Sequence, residues 1–192
     1  QRQMCIRDRG KTEAALATAE VLAARSGSQG VFFAAPTMAT ANGLLERTID
    51  WASNNSVDSV KSMYLAHSKN VLSEPYRELK FSQIGRDSGR GGGVIASQWM
   101  SGRRLGLLSN FVVGTVDQVL MMALQQRFHM LRHVGLAGKV IIFDEVHAFD
   151  TYTSDYLRST IEWLGFYGAS VILMSATLPP EKRRTLVEAY ST

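Results

Sequence analysis

Two adjacent carboxylates are the residues of this chain best placed to do chemistry. Asp144 and Glu145 directly follow the apolar run Val140 to Phe143, which is typical of a strand buried on both faces of a parallel sheet. Ligands of open α/β sheets bind at the carboxyl ends of strands, where both acids would emerge. There Asp144 could hold a magnesium ion, and Glu145 could orient or deprotonate an attacking water. The alternative is that these acids only cap the next helix.

Gly10, Lys11 and Thr12 match the last part of a phosphate-binding loop, because they directly precede a helical stretch. The glycine would let the backbone approach a phosphate, Lys11 would neutralise β and γ oxygens, and Thr12 would ligate magnesium. The motif is incomplete, since Cys5 stands where its first glycine belongs and residues 1 to 9 are polar where a strand should precede the loop. We expect residues 1 to 9 to be foreign or misread sequence ahead of a truncated domain. A degenerate loop is the alternative.

Apolar runs alternate with amphipathic stretches, which predicts an α/β fold with a parallel sheet flanked by helices and with its first strand missing. The predicted strands are Gly30 to Ala35, Ser62 to Ala66, Phe111 to Val113, the Val140 run, and Ala169 to Met174 as another buried strand. The predicted helices are Lys11 to Arg25, Met38 to Ala52, Thr115 to Gln126 with a Thr cap, Thr151 to Tyr167, and one from Pro180 toward Tyr190. The glycine-rich stretch Ser82 to Gly93 predicts a mobile surface loop. Such a sheet would bring Lys11 and Asp144 to one edge, where magnesium bridges β and γ phosphates.

The composition fits a single compact domain, because 192 residues with 45% hydrophobic content can bury one core. The 21 Lys and Arg against 17 Asp and Glu permit a nucleic-acid partner without requiring one. One cysteine excludes an internal disulfide framework and favours a reducing, cytoplasmic setting. No unbroken apolar stretch approaches the ~18 residues of a membrane span, so we expect no membrane partner.

Several motifs in order resemble those of known helicases. Asp144 to His147 (DEVH) resembles the Walker B motif of superfamily 2 helicases of the DEAD/DEAH-box kind, and Ser175, Ala176 and Thr177 resemble their SAT motif. More narrowly, four stretches resemble the helicase and nuclease of type I CRISPR interference: GKTEAAL from Gly10, APTMATANGL from Ala35, VGTVDQVLMMAL from Val113 and DEVHAFD from Asp144. The resemblance covers nearly the whole chain.

This resemblance implies a RecA-like P-loop NTPase domain over residues 10 to 192, the first lobe of a helicase whose nuclease domain and second lobe are absent. The full protein would use ATP and Mg²⁺ to move along single-stranded DNA, and it would serve a CRISPR guide RNA-protein surveillance complex in antiviral defence. A second lobe supplies arginine fingers in such enzymes, so the isolated chain is expected to bind ATP poorly and to be inactive.

The resemblance also implies roles for individual residues. His147 would join the catalytic acids by linking the ATP site to the SAT strand, and Ser175, Ala176 and Thr177 would couple nucleotide state to the DNA groove. Contacts to single-stranded DNA would come from Pro36, Thr37, Thr40, Asn42, Gly43, Gly114 and Thr115. Backbone amides and Thr hydroxyls can grip phosphates without reading bases. Ordinary turn and cap chemistry explains the same residue types.

Two other functions fit the sequence. One is the equivalent lobe of a DEAD-box RNA helicase, and the other is a non-catalytic nucleic-acid-binding lobe with a degenerate phosphate loop. The affinities for DNA and RNA oligonucleotides, measured at the same salt concentration, distinguish the DNA helicase from the RNA helicase.

Overall fold

Six parallel strands form one sheet in the computed structural model, which describes residues 10–54, 61–66, 94–95, 105–124 and 129–191. The strands lie in the order β3-β2-β4-β1-β5-β6, and every neighbouring pair is parallel. Their bounds are β1 Gly30–Ala35, β2 Lys61–Ala66, β3 Val94–Ile95, β4 Phe111–Thr115, β5 Lys139–Phe143 and β6 Val171–Leu173. The predicted parallel α/β fold is therefore confirmed.

Helices connect these strands: α1 Lys11–Ser26, α2 Met38–Asn54, α3 Val116–Leu120, α4 His129–Ala137, α5 Thr151–Phe166 and α6 Pro180–Tyr190. Where α1 ends, Gly27 adopts a left-handed backbone with φ 70° and donates its N–H to the Ala23 carbonyl, as is common at the C-termini of helices. None of the helices in these described ranges is long and apolar enough to cross a bilayer.

The core is centred on β1, β4 and β5, in which every residue is buried. Phe32 of β1 is aligned with Val112 on one side and with Ile141 on the other. Strands buried on both faces carry no polar alternation, which explains why all three read as continuous apolar runs. The exceptions are Thr115 at the end of β4 and Lys139 at the start of β5, both of which are buried. Lys139 donates from Nζ to the Gly135 carbonyl at 2.6 Å, and burial lowers its pKa to about 8.

Two predicted elements differ from the structure. The strand predicted over Ala169 to Met174 is shorter and only half-buried, because β6 lies at an end of the described sheet. The helix predicted over Thr115 to Gln126 begins a residue later and gives way to a 3-10 turn at Met121–Ala123. Thr115 is still extended, with φ −78° and ψ 152°, and its side chain makes no cap hydrogen bond.

The helix α4 was not predicted. Polar and small residues interrupt its apolar pattern, and tertiary contacts hold it in place. Buried His133 hydrogen-bonds with the Tyr167 hydroxyl at 2.9 Å and the Met122 carbonyl at 3.0 Å. The predictions for residues 1 to 9 and for the loop from Ser82 to Gly93 lie outside the described residues.

Candidate functional site

The carboxyl ends of the central strands meet at one edge of the sheet. The register pairs Ala34 of β1 with Gly114 of β4 and with Phe143 of β5. Asp144 extends this pairing, because its N–H donates to the Ala34 carbonyl at 3.0 Å. The edge therefore carries Asp144, the start of α2 and the end of β4 side by side, as expected for a ligand site of an open α/β sheet.

The backbone at Glu145 separates the two acids. Among the residues that the structure describes, Glu145 is the only non-glycine with a positive φ, at 52°. Its N–H donates to Oδ1 of Asp144 at 2.9 Å. Asp144 is consequently half-buried at the strand end while Glu145 is exposed. A non-glycine residue in this region costs on the order of 1–3 kcal/mol, and such strain concentrates at functional sites.

The simpler interpretation of the two acids as helix caps finds no support in the local geometry. The cap of α5 is Asp150, whose Oδ1 accepts the Thr153 N–H at 2.7 Å. Five residues separate Asp144 from Asp150, and Asp144 Oδ1 already accepts the Glu145 N–H. Both acids thus lie outside the cap of α5. Glu145 occupies the N-cap position of the intervening 3-10 turn Val146–Ala148, but its side chain makes no cap hydrogen bond there.

The charges around Asp144 suit a bound cation. Burial raises the pKa of Asp144, and the Glu145 charge acts in the same direction. The Glu145 N–H and the positive charges of Lys11 and His147 lower it. A cation would offset both the burial and the repulsion between the acids, so these residues fit Mg²⁺. In the described ranges no three His, Cys, Asp or Glu side chains converge as metal ligands.

The end of the predicted phosphate loop contains a glycine with a left-handed backbone. Gly10, at the N-cap of α1, has φ 101°, a conformation that side-chain-bearing residues rarely adopt. Lys11 follows half-buried, and Thr12 is buried in the first helical turn. The charge of Lys11 lowers the pKa of Asp144, and α1 packs against β5, so the two charges lie within electrostatic range of each other. The start of α1 therefore presents helix amides and a cation opposite a carboxylate.

The segment after β6 is joined to the turn after Glu145. Val146 N–H donates to the Met174 carbonyl at 3.1 Å, and Ala176 N–H lies 3.4 Å from His147 Nδ1. Ser175 Oγ also lies 3.4 Å from that nitrogen and donates to the Thr177 carbonyl at 2.7 Å. The structure thus brings His147 and the predicted coupling residues together.

The residues predicted to contact DNA occupy the neighbouring strand ends. After Pro36, Thr37 and Thr40 form a reciprocal cap of α2: the Thr40 N–H donates to Thr37 Oγ1 at 3.2 Å, and the Thr37 N–H donates to Thr40 Oγ1 at 3.1 Å. Both threonines are exposed. On the same helix Asn42 is half-buried and Gly43 is exposed. Capping therefore accounts for the local positions of the threonines.

Gly114 and Thr115 lie buried in β4. A Cβ on Gly114 would lie 2.7 Å from the Ala66 carbonyl oxygen and 3.1 Å from the Phe32 ring, so the close approach of β2 already requires a glycine here. Both residues nevertheless stand at the same sheet edge as Asp144.

Sequence reasoning missed one residue that contacts this site. Lys182, in the first turn of α6, donates from Nζ to the Val146 carbonyl at 3.4 Å. It stands in a run of three basic residues, and nothing in the local pattern distinguishes it from Arg183 or Arg184. Only the packing of α6 beside the turn after Glu145 identifies it.

Comparison with known proteins matches this fold and motif order. A family model for the DEAD/DEAH box helicase matches residues 9–186. The chain is 46% identical over 185 residues to the CRISPR-associated nuclease/helicase Cas3 of Streptococcus thermophilus, covering 94% of this chain and 20% of that protein. It is 36% identical over 182 residues to the CRISPR-associated endonuclease/helicase Cas3 of Escherichia coli K12, again covering 94% of this chain and 20% of that protein.

Solved structures agree. The T. fusca Cas3-ADP crystal structure superposes with a TM-score of 0.81 at 37% identity, covering 96% of this chain and 20% of that one. A chain of a CRISPR RNA-guided surveillance complex in a pre-nicking state gives 0.66 at 33% identity, covering 95% of this chain and 16% of that one. These likenesses confirm the RecA-like helicase fold and the resemblance to the first lobe of the CRISPR helicases. The chain spans about a fifth of the length of the curated relatives it matches.

Proposed function

The chain belongs to the DEAD/DEAH box helicase family, and from that premise we propose that it is the ATP-binding lobe of an ATP-dependent single-stranded DNA helicase acting in CRISPR interference. The observation that carries the proposal is the half-buried Asp144 at the end of β5, next to exposed Glu145 and within the electrostatic reach of Lys11. A nucleoside triphosphate site needs a lysine that contacts the phosphates and a carboxylate that holds the Mg²⁺ ion. Helicase activity would belong to a longer protein that includes this lobe.

Each residue at the edge would have a distinct role in hydrolysis. Gly10, Lys11 and the first amides of α1 would bind the β and γ phosphates, which the dipole of a 16-residue helix favours. Thr12 and Asp144 would hold Mg²⁺, which when bound neutralises charge on the phosphate oxygens. Glu145 would orient and deprotonate the attacking water, because its carboxylate is exposed and Asp144, not Glu145, would be the metal ligand.

Coupling to nucleic acid would pass along the same edge. His147 and the segment Ser175 to Thr177 share contacts, so a shift of the turn after Glu145 would move both. Single-stranded DNA would lie over the neighbouring strand ends, against Pro36, Thr37, Thr40, Asn42, Gly43, Gly114 and Thr115. Those positions are close to Asp144 because β1 pairs with both β4 and β5. Phosphate contacts of this kind bind without reading bases.

The partner would be the guide RNA-protein surveillance complex, since a similar chain occurs in a CRISPR RNA-guided surveillance complex. The lobe of a DEAD-box RNA helicase remains the second candidate, because the matching family model is that of the DEAD/DEAH box helicase and names no nucleic acid.

ATP hydrolysis by the full-length protein, measured with single-stranded DNA and then RNA of the same sequence at fixed salt, tests the proposal. We expect saturating DNA to stimulate hydrolysis at least ~tenfold more than RNA, because proteins distinguish the two strands at the 2′-hydroxyl. Lys11→Met, which removes the phosphate-binding cation, is the control for contaminating ATPases. Equal or greater stimulation by RNA would favour the RNA helicase. The absence of ATP hydrolysis with both DNA and RNA would favour a non-catalytic lobe.

A further inference from the structure

Lys182 reaches from α6 into the turn that carries the candidate catalytic residues. Its side chain is half-buried, and its Nζ donates to the carbonyl of Val146, the fully buried residue after Glu145. At 3.4 Å this is a long hydrogen bond, although its donor carries a positive charge. Lys182 is therefore placed to restrain the backbone between Glu145 and His147.

That turn needs restraint. Glu145 has the left-handed φ of 52°, and a strained backbone persists only where its surroundings fix it. The described contacts of its backbone are the Glu145 N–H to Asp144 Oδ1, the Val146 N–H to the Met174 carbonyl, the Ala148 N–H to the Glu145 carbonyl, and the Phe149 N–H and Lys182 Nζ to the Val146 carbonyl. Two of these partners are side chains. Asp144 is the preceding residue, whereas Lys182 comes from beyond the coupling residues Ser175 to Thr177.

We propose that Lys182 is a positioning residue that ties the Glu145 turn to α6, so that the water-activating carboxylate and the coupling segment stay in register. The inference rests on the proposed function, because it assigns Lys182 a part in the same hydrolysis. Lys182 binds no phosphate in this account. It acts through the backbone of Val146.

A groove adjoins the side chain of Lys182. Its side chain lines a groove of about 330 Å³ between the starts of α5 and α6, together with Phe149, Ser154, Asp155, Arg158 and Leu186. The groove offers the amine a solvated position when it leaves the Val146 carbonyl. Movement of α6 would shift the Val146 carbonyl through this hydrogen bond, and with it the neighbouring backbone of Glu145.

The test uses three variants of the full-length protein. Lys182→Met keeps the aliphatic stem and removes the donor, Lys182→Arg restores a donor, and Arg183→Met is the matched control because Arg183 is the exposed basic neighbour on α6. We expect Lys182→Met to lower kcat of DNA-stimulated ATP hydrolysis about tenfold, with KM for ATP within about twofold, since losing a charge-assisted bond is worth about a factor of ten. Lys182→Arg should recover most of kcat, and Arg183→Met should change little.

A general loss of folding would lower kcat of the Lys182→Met and Lys182→Arg variants together, so recovery by arginine separates positioning from stability. If Lys182→Met does not fold, Lys182→Gln is measured against the same expectations. The inference is overturned if kcat is unchanged, if KM rises instead, or if Arg183→Met loses as much as Lys182→Met. Lys11→Met is measured in parallel. If it keeps full activity, the proposed function itself fails, whatever Lys182 does.

Discussion

Replacing Glu145 by Gln is expected to reduce kcat of DNA-stimulated ATP hydrolysis in the full-length protein by a factor of about 100 or more. Gln is nearly isosteric with Glu but cannot take a proton from water. The left-handed turn and the Glu145 N–H to Asp144 Oδ1 bond involve only the backbone of residue 145, so both should survive. The variant would therefore lose the base without losing the site.

The same substitution should leave ATP affinity almost unchanged. The Glu145 charge raises the pKa of Asp144, so its removal makes Asp144 more easily ionised and no weaker as a metal ligand. Steady-state hydrolysis and equilibrium ATP binding are the two measurements. Glu20→Gln, an exposed acid on α1, is the charge-matched control. Hydrolysis within about threefold of the wild type in Glu145→Gln would show that another group activates the water.

Two glycines of the predicted DNA surface should respond to alanine in opposite directions. Gly114→Ala should lower the free energy of unfolding of the 192-residue chain by about 2–3 kcal/mol. The reason is that the new Cβ would lie 2.7 Å from the carbonyl oxygen of Ala66 and 2.8 Å from the Cβ of Ala66. Strand backbone cannot yield as a flexible side chain can. Gly43→Ala should raise the free energy of unfolding by about 0.5–1 kcal/mol, because its Cβ meets nothing within 4 Å and α2 gains a better helix former.

Denaturant unfolding of the two variants beside the wild type gives these values. A neutral Gly114→Ala would mean that β2 and β4 can separate at this point, and the close packing would then have no energetic weight. Loss of stability in Gly43→Ala would mean that α2 does not continue as a helix through residue 43.

Elements whose signals are local were predictable from the sequence. The ends of α1 follow from Gly10 and Gly27, and β1 matches its predicted bounds because every residue in it is buried. The position of Asp144 and Glu145 at the end of β5 follows from an apolar run that stops at two acids. Such signals depend on a few adjacent residues, which the sequence displays directly.

Features set by distant contacts were not predictable. The helix α4 depends on His133 meeting Tyr167 and Met122, and the close packing at Gly114 depends on Ala66, 48 positions earlier in the sequence. The left-handed backbone of Glu145 has no sequence signal, because glutamate is not a residue that favours it. Lys182 belongs to the same class, since its partner Val146 lies 36 residues away.

The candidate site as a whole was predictable from the sequence only in part. Residue types and strand order brought Lys11 and Asp144 to one edge, because the carboxyl ends of parallel strands coincide. The division of labour between the two acids needed the backbone geometry, in which Asp144 turns inward and Glu145 outward.

If Asp144 holds the magnesium of a nucleotide bound near Lys11, ATP binding to the full-length protein should depend on Mg²⁺ through this carboxylate. Affinity is measured with and without Mg²⁺ in the wild type and in Asp144→Asn, which preserves size and removes the charge. We expect Mg²⁺ to tighten ATP binding by the wild type at least ~tenfold and to have almost no effect in Asp144→Asn, because a carboxylate is the harder ligand for this ion. The same Mg²⁺ dependence in the wild type and in Asp144→Asn would show that Asp144 does not hold the ion.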